Sequence, residues 1–170
     1  MSKESSPTVS SRWELVAIVA LLVVPVAVVP ARSGGEPTVV SLWGLVNAGA
    51  AGSAGGIGLY PIWTYFLDQP RAFGTLPSSI RVWPLGGFFH LLAAVSAAGG
   101  VALGYEDRRV TGGLLLFAAL ATLWVGLGLA GRCGVGIGAS MLTVVPIAPI
   151  VTLGVTARYR DALGAVFRSR

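Results

Sequence analysis

Charge is scarce in this chain: 11% of its 170 residues are Asp, Glu, Lys or Arg, against roughly a quarter in a soluble globular domain. Cysteine is scarcer still. Cys133 stands alone, which excludes an internal disulfide and any thiolate-cluster metal site. His90 is the single histidine. A haem, which ordinarily takes a second ligand or a recognisable attachment site, finds nothing here to hold it, and no cofactor is expected. A basic stripe interleaved with aromatics is also missing, although the net charge is +5. The basic residues lie scattered at loop ends and tails, which argues against nucleic acid. All of them but Lys3 are Arg, a bias that with abundant Ala, Gly and Val accords with a GC-rich genome.

What is present is apolar. Hydrophobic residues make up 54% of the chain and the mean hydropathy is +0.78. They are gathered into long blocks rather than alternating faces, the pattern of an integral membrane protein. Four blocks read as transmembrane helices, at residues 13–31, 82–103, 110–130 and 140–159. Each is on the order of 20 residues, enough at ~1.5 Å per residue to cross a ~30 Å hydrocarbon layer. The second and third are the best delimited, with "GYEDRR" as a short charged hairpin between them. The first block also fits a signal peptide, but it is long for such an apolar region and is expected to remain as an anchor. The fold expected is an all-α membrane protein, a single integral membrane domain over residues 1–170 with four spans.

Orientation follows from the basic residues that flank the spans. Lys3, Arg12, Arg108, Arg109, Arg158, Arg160, Arg168 and Arg170 fall on one side, and Arg32, Arg71, Arg81 and Arg132 on the other. Both termini are therefore expected to be cytoplasmic. Residues 32–81 then form an extracytoplasmic, partly membrane-embedded cap between the first two spans. Within it "TVVSLWGLVNAG" is apolar but too short to cross, and "IGLYPIWTYFL" is aromatic-rich, as interfacial segments are. Residues 59–67 are expected to lie flat or to form a short helix, and Trp83 is expected to anchor the interface.

Few residues offer chemistry. On a helix, His90 shares a face with Gly86, Ala93, Ala94 and Ala97, whose small size lets helix backbones approach. An intramembrane ionisable group can serve a proton relay or bind a ligand; the plainer use is a neutral imidazole bonded to a neighbouring helix. Gly100 and Gly104 extend the same packing pattern in GxxxG spacing. Asn47 is a candidate polar group near any pathway. Cys133, beside Arg132 and followed by glycines, falls on the outer side. A nucleophilic thiol needs a base or a positive neighbour, and beyond Arg132 none is clearly placed. Gly126, Gly128 and Gly131 formally fit G-x-G-x-x-G, but the motif needs a strand before it and a helix start after it, and here it lies within a span. Pro25, Pro30, Pro146 and Pro149 each remove a helix hydrogen bond and are expected to kink the first and fourth spans.

Three stretches, "VVSLWGLVN", "LPSSIRVWPLG" and "EDRRVTGGLLLFAAL", resemble a family of small haloarchaeal multi-pass membrane proteins of uncharacterised function. Its members are often encoded near archaeosortase, the enzyme that processes C-terminally anchored surface proteins. The resemblance implies a cell-membrane location and supplies no catalytic residues to carry over. The segment around Cys133 also superficially resembles membrane-embedded archaeal sorting enzymes. Those place an arginine and a histidine or asparagine after the cysteine, whereas His90 precedes it here.

The function expected is a non-enzymatic accessory or scaffold protein of the cell envelope. It would bind a partner through the outer cap and its small-residue helix faces. That partner would be another membrane or cell-surface protein, or a second copy. The alternative is a small oligomeric carrier or channel using His90, and a third reading is an outer-face cysteine transpeptidase-like enzyme using Cys133.

Overall fold

The computed structural model describes residues 12–30, 37–48, 56–68, 73–132 and 144–168. Four helices form a ring at the end where the described chain begins. They are α1 (Arg12–Leu21), α4 (Trp83–Leu103), α5 (Arg108–Arg132) and α6 (Ile147–Thr156), with neighbours in the order α1, α4, α5, α6 and back to α1. A short 3-10 turn, Ala157–Tyr159, leads from α6 into α7 (Arg160–Arg168), which packs on α5. The other end of the molecule is a four-stranded antiparallel sheet in sequence order. Its strands are β1 (Ala27–Val29), β2 (Thr38–Val40), β3 (Gly44–Ala48) and β4 (Ile57–Pro61). Helix α2 (Ile62–Leu67), a 3-10 turn at Phe73–Thr75 and α3 (Ser78–Arg81) connect the sheet to α4.

This architecture corrects the all-α, four-span expectation. Among the described residues two helical stretches are long and apolar enough to cross a membrane, Ser78–Leu103 and Arg108–Gly131. They match the second and third predicted spans. The first predicted span is a ten-residue helix followed by a strand. Pro25 explains the stop. Its ring would collide with the carbonyl of Leu21 and it has no N–H to donate there, so α1 ends at Leu21 and the chain tightens through Leu22–Val19 and Val23–Ala20 bonds. The β-branched run beyond it then enters the sheet, where such side chains fit. The fourth predicted span is likewise a ten-residue helix, opened by Pro146 at its N-cap. At ~1.5 Å per residue, α1 and α6 are each ~15 Å long, half of what α4 reaches at ~31 Å.

The two breaks face each other and satisfy each other's backbone. The Ala148 N–H donates to the Pro25 carbonyl (3.0 Å), and Val28 and Val145 exchange N–H···O bonds in both directions (3.2 Å each). Pro25 and Pro146 thus bound two helices rather than kinking them, Pro149 falls in the first turn of α6, and Pro30 follows β1. The described part of residues 32–81 holds β2, β3 and β4, which the all-α expectation lacked, and the short helix expected within 59–67 is found as α2 over Ile62–Leu67. The tight turn from β2 into β3 depends on Gly44, whose φ is +154°. A Cβ there would collide with the carbonyl oxygen of Tyr60.

Two apolar clusters hold the halves together. Val26, Ala27, Val40, Leu42, Trp83, Val125, Ala130, Val144 and Ala148 join the sheet to the helices. Ile18, Leu21, Ala93, Ala94, Ala97, Leu115 and Tyr159 fill the helical ring. Trp83 is buried in the first cluster, and its Nε1–H donates to the Ser41 carbonyl (2.8 Å). It is a core residue rather than the interface anchor expected.

Helix ends are capped by the residues the sequence supplies. Gly104, with φ +68°, ends α4 in the left-handed conformation that glycine tolerates, its N–H bonded to the Gly100 carbonyl (3.0 Å). Asp107 caps α5, its carboxylate accepting the Arg109 N–H (2.9 Å).

Two glycines separate turn geometry from helix propensity. Gly44→Ala is expected to lower unfolding stability in detergent by on the order of 2 kcal/mol, through a disfavoured φ and the clash with Tyr60. Gly99→Ala, where a Cβ meets nothing within 4 Å, should raise it by up to about 1 kcal/mol. A thermal melt of each variant measures this, and an unperturbed Gly44→Ala would contradict the turn described.

Candidate functional site

His90 lies on the face of α4 that looks into the ring, and none of it is exposed. Its Nδ1 is 2.7 Å from the Gly86 carbonyl oxygen, and its Nε2 is 3.0 Å from the Thr152 hydroxyl on α6. A carbonyl only accepts, so Nδ1 carries the proton and Nε2 accepts from Thr152. Both ring nitrogens are occupied by the neutral tautomer. The position is therefore a bonded joint between α4 and α6, the plainer of the two uses open to it.

Around this joint the helices meet through small side chains. Gly86, Ala93, Ala97 and Gly100 are all buried on α4. A Cβ on Gly86 would stand 3.0 Å from the methyl of Thr122 on α5, and one on Gly100 would stand 2.7 Å from the Cβ of Glu106. These four residues pack within the chain. Gly104 is exposed and serves as a cap instead. In the "GLGLAG" stretch, Gly126 faces Pro146 and Gly128 faces Ser79 of α3. The glycines of that apparent dinucleotide motif thus make room for neighbouring elements.

The remaining polar hydroxyls are satisfied locally. Thr122 donates to the Ala118 carbonyl (2.8 Å) and Thr156 to that of Thr152 (2.8 Å). Thr111 donates to Glu106 (2.8 Å) and therefore accepts from Ser96 (2.7 Å).

Asn47 sits on β3 opposite Thr38 and Gly58. Its Oδ1 is buried and has no hydrogen-bond partner among the described residues. No hydrogen bond joins it to His90, so the two are not brought together as one polar path. Cys133 lies outside the described residues. Arg132 ends α5, and its side chain is also outside the description. Among the described residues no group of three His, Cys, Asp or Glu side chains could hold a metal ion.

Two features escaped the sequence. The first is a clasp at the ring's open end: Arg108 Nη1 and Nη2 donate to the two carboxylate oxygens of Glu14 (3.0 Å each), and the guanidinium lies 4.5 Å over the Tyr159 ring. It ties α1, α5 and the turn after α6 together, across 94 residues of sequence. The bidentate match of guanidinium to carboxylate is the strong form of such a pair.

The second is an apolar face on the cap. Ile57, Leu59, Tyr60, Trp63, Leu67 and Trp43 are all exposed, Leu67 at 81%. A groove of ≈ 220 Å³ runs between Trp43, Leu59, Tyr60 and Trp63. Behind it, Tyr65 packs edge-on against Trp83 (5.6 Å between ring centres), and this fixes α2 to the start of α4. Contiguous exposed apolar surface of this kind marks an interaction site.

The His90 joint is testable by a double-mutant cycle with Thr152. His90→Ala is expected to destabilise the protein by about 2 kcal/mol, combining a cavity with an unpaired Thr152 hydroxyl. Thr152→Val should cost less in the His90→Ala background than alone, with a coupling of about 1 kcal/mol in denaturant unfolding. A coupling of zero would contradict the bond.

No curated protein matches the chain significantly. One family model does, DUF8050, described as a domain of unknown function, and it covers residues 1–168. The chain belongs to the DUF8050 family.

Proposed function

We propose that this chain is an integral membrane protein of the cell envelope that works without catalysis, as an accessory or scaffold. Its cap of β3, β4 and α2 is the surface that receives a partner. The observation that carries the membrane part is an inversion of side-chain size. On α4 and α5 the buried residues, apart from Trp83, His90, Leu115 and Val125, are glycine, alanine or threonine, while Phe88, Leu91, Leu92, Val95, Leu116, Phe117, Leu120, Trp124 and Leu127 are exposed. Only 39% and 44% of the most apolar stretches of these helices are buried. A core helix of a water-soluble protein hides its large apolar side chains; a helix in lipid has no such need, and small residues at its contacts permit close packing.

In this reading the termini and the α4–α5 turn face the cytoplasm, where the basic residues gather, and the cap faces outward. The sequence likeness to haloarchaeal proteins encoded near archaeosortase supports a surface protein as the partner. Gly86, Ala93, Ala97 and Gly100 pack inside the chain, and the exposed aromatic groove of the cap favours it as the recognition surface. A His90-based carrier finds no support, since the imidazole is sealed and fully bonded. For the same reason the chain's only imidazole is not free to activate Cys133.

A photo-reactive phenylalanine analogue at position 59 or 63 tests the cap. Cross-linking in native membranes to a discrete second protein, or to a second copy, is expected from these positions. None is expected from position 103, equally apolar but at the opposite end of α4. No product from either cap position, with the protein running as an isolated monomer in mild detergent, would overturn the scaffold reading.

A further inference from the structure

At the opposite end from the cap, α1 and α6 leave an open groove of ≈ 420 Å³ between them. Its walls are Ala17, Val151, Gly154 and Val155, all apolar or without a side chain. Nothing lies within 4 Å of where a Cβ on Gly154 would stand, so the wall there is hollow. The groove has a direction. Val151 and Ala17 mark its inner end, and Arg158 and Trp13 its outer end, where α1 begins and α6 has finished. From Val151 to Arg158 the axial distance is roughly 10 Å.

Charge in the groove is one-sided. Glu14 also lines it, but both of its carboxylate oxygens are bound by Arg108. Arg158 enters neither of the ion pairs found among the described residues, Glu14–Arg108 and Arg160–Asp161. Its side chain is exposed, while its carbonyl accepts from Arg108 (3.4 Å), which holds the turn in place. Among the described residues, an apolar slot thus ends at one guanidinium without an ion-pair partner, beside an exposed tryptophan.

We propose that this groove binds a single anionic phospholipid of the inner leaflet, with an acyl chain along Ala17, Val151, Gly154 and Val155 and the headgroup phosphate on Arg158. The assignment rests on the membrane-spanning reading above. Guanidinium suits phosphate as a planar donor, basic pockets between membrane helices on the cytoplasmic side take anionic headgroups, and indole settles at the headgroup level. A partner helix is a poorer occupant, because it would leave Arg158 facing an apolar surface.

The test uses the full chain reconstituted in phosphatidylcholine vesicles carrying trace spin-labelled phosphatidylglycerol or spin-labelled phosphatidylcholine. Electron paramagnetic resonance then reads the motionally restricted lipid. The wild type should prefer phosphatidylglycerol about fivefold, the ratio that one arginine–headgroup contact supplies. Arg158→Gln should bring the ratio to about one. Gly154→Leu, whose Cβ meets nothing within 4 Å and whose side chain narrows the slot, should remove a restricted lipid of either headgroup. Excess inorganic phosphate should leave the preference intact; its loss would mean a site for free anions and would overturn the lipid assignment. So would an unchanged preference in Arg158→Gln, or unchanged restricted lipid in Gly154→Leu. Restricted lipid without any headgroup preference sinks the site alone, whereas no restricted lipid of either kind sinks the membrane-spanning reading beneath it.

Discussion

The close approach of α4 and α5 governs the rest of the molecule. It is possible only because α4 presents Gly86, His90, Ala93, Ala97 and Gly100 inward, with the Thr122 methyl of α5 filling the space that Gly86 leaves. In the proposed membrane setting, where no water drives apolar surfaces together, such contact depends on van der Waals fit and on hydrogen bonds between helices. The seam supplies the first and His90 the second, through its bond to Thr152 on α6. A larger side chain at Gly86 would press on the Thr122 methyl, 3.0 Å from where its Cβ would stand, and push α5 outward. Phe88, Phe117, Leu120 and Trp124 are on the outside of this pair.

The second constraint is backbone satisfaction at the level where α1 and α6 stop. Ending a helix leaves orphan N–H and C=O groups, and in an apolar surrounding each of them is costly. Here the two stops are set side by side. Pro25 offers its carbonyl to Ala148, Val28 pairs with Val145, and Val26 donates to Val40 (2.7 Å). Half-helices and sheet therefore form one bonded unit, and the sheet is the device that completes two shortened helices. At the other end the Glu14–Arg108 clasp over Tyr159 performs the matching task for the start of α1 and the turn beyond α6.

Much of the helical frame was legible in residue order. The α4 and α5 boundaries fall within two residues of those expected, because charged "GYEDRR" and turn-forming "LPSS" bracket two long apolar runs. The inward face of His90 was also readable, from glycine and alanine at steps of three and four. The sheet was not. A strand buried among apolar neighbours shows no alternation, so "VPVAVVP" looks the same whether it continues a span or enters β1. Its clues were the β-branched run and two bracketing prolines, which act as terminators and not as kinks. The Glu14–Arg108 pair joins positions 94 apart, and local pattern carries no trace of such a contact. The cap's aromatic segment was visible as composition, whereas the exposed groove between Trp43 and Trp63 depends on how β3, β4 and α2 fold over one another.

These strands converge on one claim, that the outward apolar faces of α4 and α5 lie in lipid. Spin labels at positions 88, 117 and 120, each in a Cys133→Ser background and reconstituted in vesicles, address it directly. Relaxation by oxygen, which partitions into hydrocarbon, should be strong, and relaxation by a water-soluble nickel chelate weak. A label at position 107, in the turn between α4 and α5, should behave in the opposite way. Equal access of the nickel chelate to positions 107, 117 and 120 would contradict the account.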